Sequence, residues 1–438
     1  MYAERRRRLL DRIGRSVAVF IAPREAIRND DVHHDFRQNS DLFYLTGFEE
    51  PSVVLVLSAT DPDNPKSVLF LRTRDPEREI WDGARLGIER AVSDLGMDEA
   101  YPIEDLETKL GELVLGSENL YYDLGRSDRE YNDEIVMTAF TSAKRRKRRA
   151  NVVPDGIQDS SPFIHEMRLF KTAEELEVMR EAAHLTSIGH SRAMEVAGPG
   201  VCEFQVEAAM EFEWRVRGAE RNAYPSIVGS GPNACVLHYR AGKRALQDGE
   251  LVLVDAGCER GYYACDVTRT WPVSGQFSEA QRKVYAIVLD AQKKAIDACR
   301  TGSTMVKVHD VATRVLVKGL IGLDLLEGTV DSVMENESYK RFYMHQTSHW
   351  IGMDVHDVGT YMTDGQPRKF EPGMVLTVEP GIYISPHDDT IPEIYRGIGV
   401  RIEDDILVTE GAPENLTYQT PKEIDEVEAL VGSKPLAL

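Results

Sequence analysis

The chain has 438 residues, of which 42% are hydrophobic and 29% charged, and its formal net charge is −21. A single core stops growing near ~250–300 residues, so two domains are expected in a soluble globular protein. No run reaches the ~18 consecutive apolar residues of a membrane helix, and the acidic balance speaks against nucleic acid or an anionic membrane as partner.

The opening Met1-Tyr2-Ala3-Glu4 runs into Arg5 to Arg8 and then Leu9-Leu10-Asp11-Arg12. It carries no apolar signal core, and Glu4 and Asp11 argue against a transit peptide, so a cytoplasmic protein is expected. Residues 52–57 and 67–71 are apolar runs with the length and β-branching of buried strands. Acidic, Leu-bearing segments between Ile88 and Leu115 predict short helices. The alternation predicts an α/β domain over residues 1–160. Six basic residues, Lys144 to Arg149, follow. No aromatic interleaves with them, so they read as a solvated helix end beside a linker, not a nucleic-acid patch. Pro, Gly and Ser then cluster over 152–162, which places the domain boundary at 150–165 and a second domain over 165–438.

Thr172 with Glu175 three residues on predicts a capping box that opens a helix running to about Val196, where Gly198-Pro199-Gly200 stops it. Another helix is expected over 203–217. Strands follow to about Ser274, then helices over 281–299 and 305–318, the second stopped by Gly319. Strands are expected through the last hundred residues. The five cysteines (Cys202, Cys235, Cys258, Cys265, Cys299) are odd in number and show no C-x-x-C spacing. A disulfide framework and a thiolate zinc site are disfavoured, and a reducing compartment fits.

An apolar run, Leu251 to Val254, ends on Asp255. Arg260-Gly261 suits a two-residue hairpin loop, which would pair residue 255 with residue 266 across the ladder. Asp255 and Asp266 would then stand about 4.5–5.5 Å apart at Cβ. Carboxylates that close repel unless a proton or a cation lies between them. Glu379 ends a second apolar run, 374–378. Arg401 and Glu403 share one face of a strand whose other face carries Val400 and Ile402. His345, His349 and His356 fall within twelve residues. The i, i+4 spacing of His345 and His349 would let them bind one metal from a helix, yet the Glu of the H-E-x-x-H zinc helix is missing. Four carboxylates with few nitrogens suit hard divalent ions such as manganese. Four negative charges also balance two such ions.

The combination Asp255-Ala256-Gly257, Asp266-Val267-Thr268-Arg269-Thr270, His345-x-x-x-His349-Trp350, Val355-His356-Asp357-Val358-Gly359, Glu371 to Glu379-Pro380-Gly381 and Gly399 to Asp405 resembles the pita-bread metallopeptidases. Within them it is most similar to the aminopeptidase P family. Residues 38–48, Glu79-Ile80-Trp81 and His165 to Lys171 extend the resemblance to essentially the whole chain. It implies an α/β (α+β) fold, with a mixed-sheet N-terminal domain ahead of a curved antiparallel sheet backed by helices. It implies that two divalent ions, manganese first with cobalt or zinc as alternatives, are held by Asp255, Asp266, His349, Glu379 and Glu403, with Asp266 and Glu403 bridging. His238, His345 and His356 would hold the substrate, Arg401 would support the ligands, and Tyr383 would lie near them. Trp81 and Asp41 would reach the neighbouring subunit's site in a homo-oligomer, dimer or tetramer.

The activity implied is release of the N-terminal residue from peptides with proline at position two. A hydroxide held between the ions would attack the scissile carbonyl, and Glu379 would move its proton to the proline nitrogen. The rivals are a prolidase restricted to Xaa-Pro dipeptides, a non-catalytic pita-bread scaffold that binds proteins or nucleic acid, and a metal-free creatinase-like hydrolase. The full ligand set argues against the last two. Cys265 stands where close relatives tend to carry glycine. By strand alternation it points away from the face of Asp266 and is not expected to bind metal.

Overall fold

A computed structural model describes residues 1–124, 130–146 and 152–436. Its contacts divide the chain into two units, Met1–Glu166 and Met167–Leu438.

The first unit is built on a six-stranded mixed sheet. Its centre is antiparallel, with Val17–Ile21 beside Val54–Ser58 and the latter beside Lys66–Leu71. Parallel strands flank it, Glu99–Pro102 on one side and Leu120–Tyr121 then Ile157–Gln158 on the other. Val19, Val56, Val68 and Phe70 pack against Leu106, Leu110, Val136 and Ala139 of two helices, Leu106–Leu113 and Glu130–Arg145. The arginines near the start are part of this architecture. Arg6 is buried and donates to the carbonyls of Leu45, Leu95 and Gly96. These close the helices Ser40–Thr46 and Ile88–Leu95, where a cation meets the unpaired carbonyls and the negative end of the dipole. Of the later basic run, Lys144 and Arg145 occupy the last turn of the helix Glu130–Arg145. Lys147, Arg148 and Arg149 lie outside the described residues.

In the second unit every strand pair is antiparallel. Thr172 and Glu175 cap each other reciprocally at the head of the helix Ala173–Val196. That helix, together with Glu203–Val216, Glu279–Asp297 and Met305–Gly322, backs the strands. Trp214, Trp271, Tyr285 and Ile402 belong to the shared core. Gly319 is not the expected stop, because the fourth helix runs on to Gly322. A Cβ at Gly319 would stand 2.4 Å from Ile287, so glycine is there for close packing against the neighbouring helix. Nor are the last hundred residues all strand. They include a long irregular segment after Phe342 and end on the helix Ile424–Leu430.

The hairpin carrying the first acidic pair is set differently from the sequence expectation. Its turn is Gly261-Tyr262, with φ of 55° and 70°. Both central residues are left-handed, as the turn that matches strand twist requires. Moving the turn by one residue moves the register by two, and Asp255 pairs with Thr268 instead of Asp266. Asp266 falls opposite Gly257, where a Cβ would lie 1.7 Å from the Cys265 carbonyl oxygen. No side chain fits there, and the glycine of Asp255-Ala256-Gly257 lets the strands approach.

Candidate metal centre

Three strand systems bring the acidic residues together. The strand Leu251–Asp255 lies between Ile227–Ser230 and Thr268–Pro272, and Asp255 stands at its end. Val375–Val378 pairs with Asp404–Leu407, and Gly381–Tyr383 pairs with Gly399–Arg401. Val378 faces Asp404 and Gly381 faces Arg401. The same register sets Glu379 opposite Glu403 in the break between the two ladders. Glu403 donates its N–H to the Thr268 carbonyl at 3.0 Å, which joins the two strand systems at the site.

The histidine segment is not a helix. Residues 347–351 run extended beside Val375–Val378, with Thr377 N–H to the His349 carbonyl and Glu379 N–H to the Thr347 carbonyl. His345 lies ahead of that extended run, and both histidines line the same pocket without a helix between them. The two then part. His349 Nδ1 meets the Trp350 carbonyl at 3.0 Å, and Nε2 lies 3.4 Å from Asp266 and 3.5 Å from Glu379. A ring whose Nδ1–H is committed to a carbonyl presents its Nε2 lone pair as a ligand. His345 Nε2 instead meets the Tyr383 hydroxyl at 2.9 Å. The His356 ring lies 4.3 Å from that of His349, centroid to centroid. Its neighbour Asp357 is buried and pinned by Arg168 at 2.5 Å and Lys171 at 3.0 Å, which fixes the loop that carries His356.

Asp255, Asp266, His349, Glu379 and Glu403 line one pocket of about 700 Å³, together with His238, His345, His356 and Arg401. Tyr383 stands behind this lining and accepts from Arg401 Nη1 at 2.8 Å. Trp81 and Asp41 belong to the first unit. Asp41 lies 3.3 Å from His165, and Trp81 is 83% exposed, which rules out packing in its own core. Cys265 is buried, and its thiol is pushed up by burial, with Asp405 adding to the rise. All five cysteines are unpaired.

Several contacts were not singled out in the sequence. The Tyr224 hydroxyl bonds both Asp255, at 2.6 Å, and Asp266. Thr268 Oγ1 donates to Glu403 at 2.6 Å, and Thr377 Oγ1 donates to Glu379 at 3.2 Å. Arg240 also lines the pocket. A signal existed for Thr268, which alternation places on the face of Asp266. None existed for Tyr224, which is brought in by the pairing of Ile227 with Asp255.

The electrostatics test whether cations fit. Burial pushes Glu403 well above the usual carboxylate range, and Asp266, Glu379 and Asp255 add to it. Burial raises Asp255 despite Arg401, and pushes Glu379 up to about 7 despite His349. Burial opposes ionisation of Asp266 too, but the hydrogen bond and charge of His349 hold it below its ordinary value. Burial lowers His349, yet Asp266 and Glu379 carry it up to about 9. The protein therefore gathers more negative charge than Arg401 and one imidazolium neutralise. Among the described residues, ligand atoms of Asp266, His349 and Glu403 all lie within 4.8 Å of one another. A buried, oxygen-rich cradle short of positive charge fits hard divalent cations.

The sequence profile of Metallopeptidase family M24 matches residues 177–410, and that of the aminopeptidase P N-terminal domain matches residues 2–121. The Xaa-Pro aminopeptidase of Escherichia coli is 44% identical over 98% of this chain and 97% of its own length. Among solved structures, the aminopeptidase PepP of Pseudomonas aeruginosa has a TM-score of 0.95 at 45% identity, covering 98% of this chain and 97% of that one. Aminopeptidase P from E. coli with the inhibitor Pro-Leu has a TM-score of 0.94 at 43% identity, covering 98% and 97%.

Proposed function

Because the chain belongs to metallopeptidase family M24, with the aminopeptidase P domain preceding a pita-bread catalytic domain, we propose that it works as an Xaa-Pro aminopeptidase on the pocket just described. It is a metal-dependent hydrolase that releases the N-terminal residue from peptides with proline second. The observation that carries the site assignment is the convergence of Asp266, His349 and Glu403, with Asp255 and Glu379 adjoining. In this reading these five residues would hold two divalent ions, with Asp266 and Glu403 the carboxylates available to both. The oxygen-dominated donor set favours manganese, with cobalt or zinc able to substitute.

Divalent ions held there would supply Lewis acidity toward the scissile carbonyl and would lower the pKa of water enough for it to act as a nucleophile at neutral pH. The chain's own groups do the rest. Glu379 takes the proton of the attacking water and delivers it to the proline nitrogen as the bond breaks. That nitrogen carries no proton in the substrate, so the delivery is what lets it leave. Arg401 donates to Asp255 at 2.6 Å and to Tyr383, holding both in place. His345 is tied to the same Tyr383 hydroxyl. Burial and Arg401 lower His345 to about 4, so it meets substrate as a neutral ring. His238 and His356, both exposed on the pocket wall, bracket the carbonyl and the proline ring.

Trp81 and Asp41 are assigned to the substrate path of a second copy in a homo-oligomer. An 83% exposed tryptophan is what such a contact surface presents before assembly. No helix among the described residues is long and apolar enough to cross a membrane, and five free thiols suit a cytoplasmic location. One assay tests the reading. The protein is dialysed free of metal and manganese is added back. Ala-Pro-Ala, Ala-Ala-Ala and Ala-Pro are then followed by mass spectrometry. Metal-dependent loss of alanine from Ala-Pro-Ala, with Ala-Ala-Ala nearly inert, is expected. Tenfold or greater preference for the dipeptide, about 1.4 kcal/mol, would make the protein a prolidase.

A further inference from the structure

One cation on the pocket wall has no part in the chemistry above. Arg240 lies two residues beyond His238 on the same loop, lines the pocket and is exposed. Its Nη1 donates to the Pro225 carbonyl at 2.6 Å. Pro225 follows Tyr224, the residue whose hydroxyl touches Asp255 and Asp266. The guanidinium is thus anchored to the short segment that also contacts the carboxylate floor, and it stands at the solvent end of that wall. Nε and Nη2 meet no acceptor among the described residues. They form the edge of the guanidinium that grips a carboxylate with two parallel N–H groups.

The other arginine of the pocket cannot serve this way. Arg401 is buried, and its three nitrogens are committed to Thr268, Tyr383 and Asp255. Glu207 lies close enough to feel the charge of Arg240 without bonding it. Burial and Glu211 push Glu207 up to about 7, so it neutralises Arg240 only in part.

The spacing suits one part of a substrate. Two residues of chain span at most about 7 Å. If His238 brackets the proline, a side chain two positions on reaches the residue after it. In a tripeptide that residue ends in a carboxylate, which a chain of net charge −21 would otherwise tend to repel. We propose that Arg240 is a specificity-determining residue that binds the terminal carboxylate of Xaa-Pro-Xaa tripeptides and ranks them above longer or C-terminally blocked peptides. The proposal rests on the aminopeptidase reading given above.

The test uses the metal-loaded full chain, as wild type, Arg240→Ala and Arg240→Lys, with Ala-Pro-Ala, its C-terminal amide and Ala-Pro as substrates. A charge-assisted bidentate contact predicts that the wild type favours the free acid over the amide by about tenfold in kcat/KM. In Arg240→Ala this ratio falls toward one through a higher KM for the acid, and Arg240→Lys keeps part of it. An unchanged ratio in Arg240→Ala overturns the proposal. So does a larger loss on Ala-Pro than on Ala-Pro-Ala, since the anchor would then sit one residue earlier. If the wild type cleaves none of the three peptides, the aminopeptidase reading itself falls.

Discussion

Arg269 Nη2 lies 2.6 Å from Asp404 Oδ1, and neither side chain has any exposed surface. The pair adjoins two of the proposed ligands in the sequence, three residues after Asp266 and one after Glu403. Arg269 also donates to the carbonyls of Glu403 and Thr420, while Asp404 accepts from Lys422, Gln292 and Thr417. A saturated buried ion pair therefore holds the two ligand strands in register from behind.

Removing one partner should unfold the catalytic unit more readily. Asp404→Asn leaves the Arg269 charge without its partner in the interior, a loss of about 3–5 kcal/mol in stability. The pH dependence has a definite sign. Burial works against the Asp404 carboxylate, but Arg269 and Lys422 hold it well below the usual range. A depressed carboxylate contributes stability that is present above its unfolded pKa of about 3.9 and is lost as pH falls from there toward the folded value. Calorimetry should show the wild type losing Tm steeply below about pH 4. The variant should start lower and fall less over the same interval. A variant as stable as the wild type at pH 7 would refute the anchoring role.

Glu379→Gln keeps the shape of the side chain but removes the proposed proton acceptor and one proposed ligand charge. Loss of a general base alone lowers rates by about 10²–10⁴-fold. Turnover of Ala-Pro-Ala should drop at least that far when metal content is matched to wild type. More than about a tenth of wild-type kcat at full loading is incompatible with the assigned role.

Trp81 makes a two-sided prediction. At 83% exposure its replacement by alanine should change stability by no more than about 0.5 kcal/mol. It should nonetheless raise KM for Xaa-Pro-Xaa peptides if it contacts substrate bound to another copy. Light scattering decides between this and an isolated surface residue, because a stable, fully active monomer excludes the cross-copy contact.

Much of this arrangement could be read from residue order because its local signals are strong. Thr172 and Glu175 announce a helix start by side-chain chemistry alone, and that capping box is present. Asp255 and Glu379 end apolar runs where a lone charge would be costly, and both line the pocket. What could not be read depends on register and distant packing. The acidic hairpin turns at Gly261-Tyr262 because Tyr262 takes a left-handed conformation, which its side chain does not advertise. Gly319 has the look of a helix stop, but the Ile287 side chain on a neighbouring helix dictates it. Arg240 carries no motif at all. Its relation to the pocket exists only once the loop bearing His238 is folded against Pro225.

The central claim is that Asp266, His349 and Glu403, with Asp255 and Glu379, hold two divalent ions that the peptidase activity requires. Metal analysis by mass spectrometry on wild type and Asp266→Asn, with Ala-Pro-Ala turnover measured on the same preparations, tests it most directly. Wild type should carry two equivalents per chain and be active. Asp266→Asn should lose metal from both positions and turnover with it, because one fewer anion would serve both cations. Two full equivalents in the variant with activity intact would contradict the account.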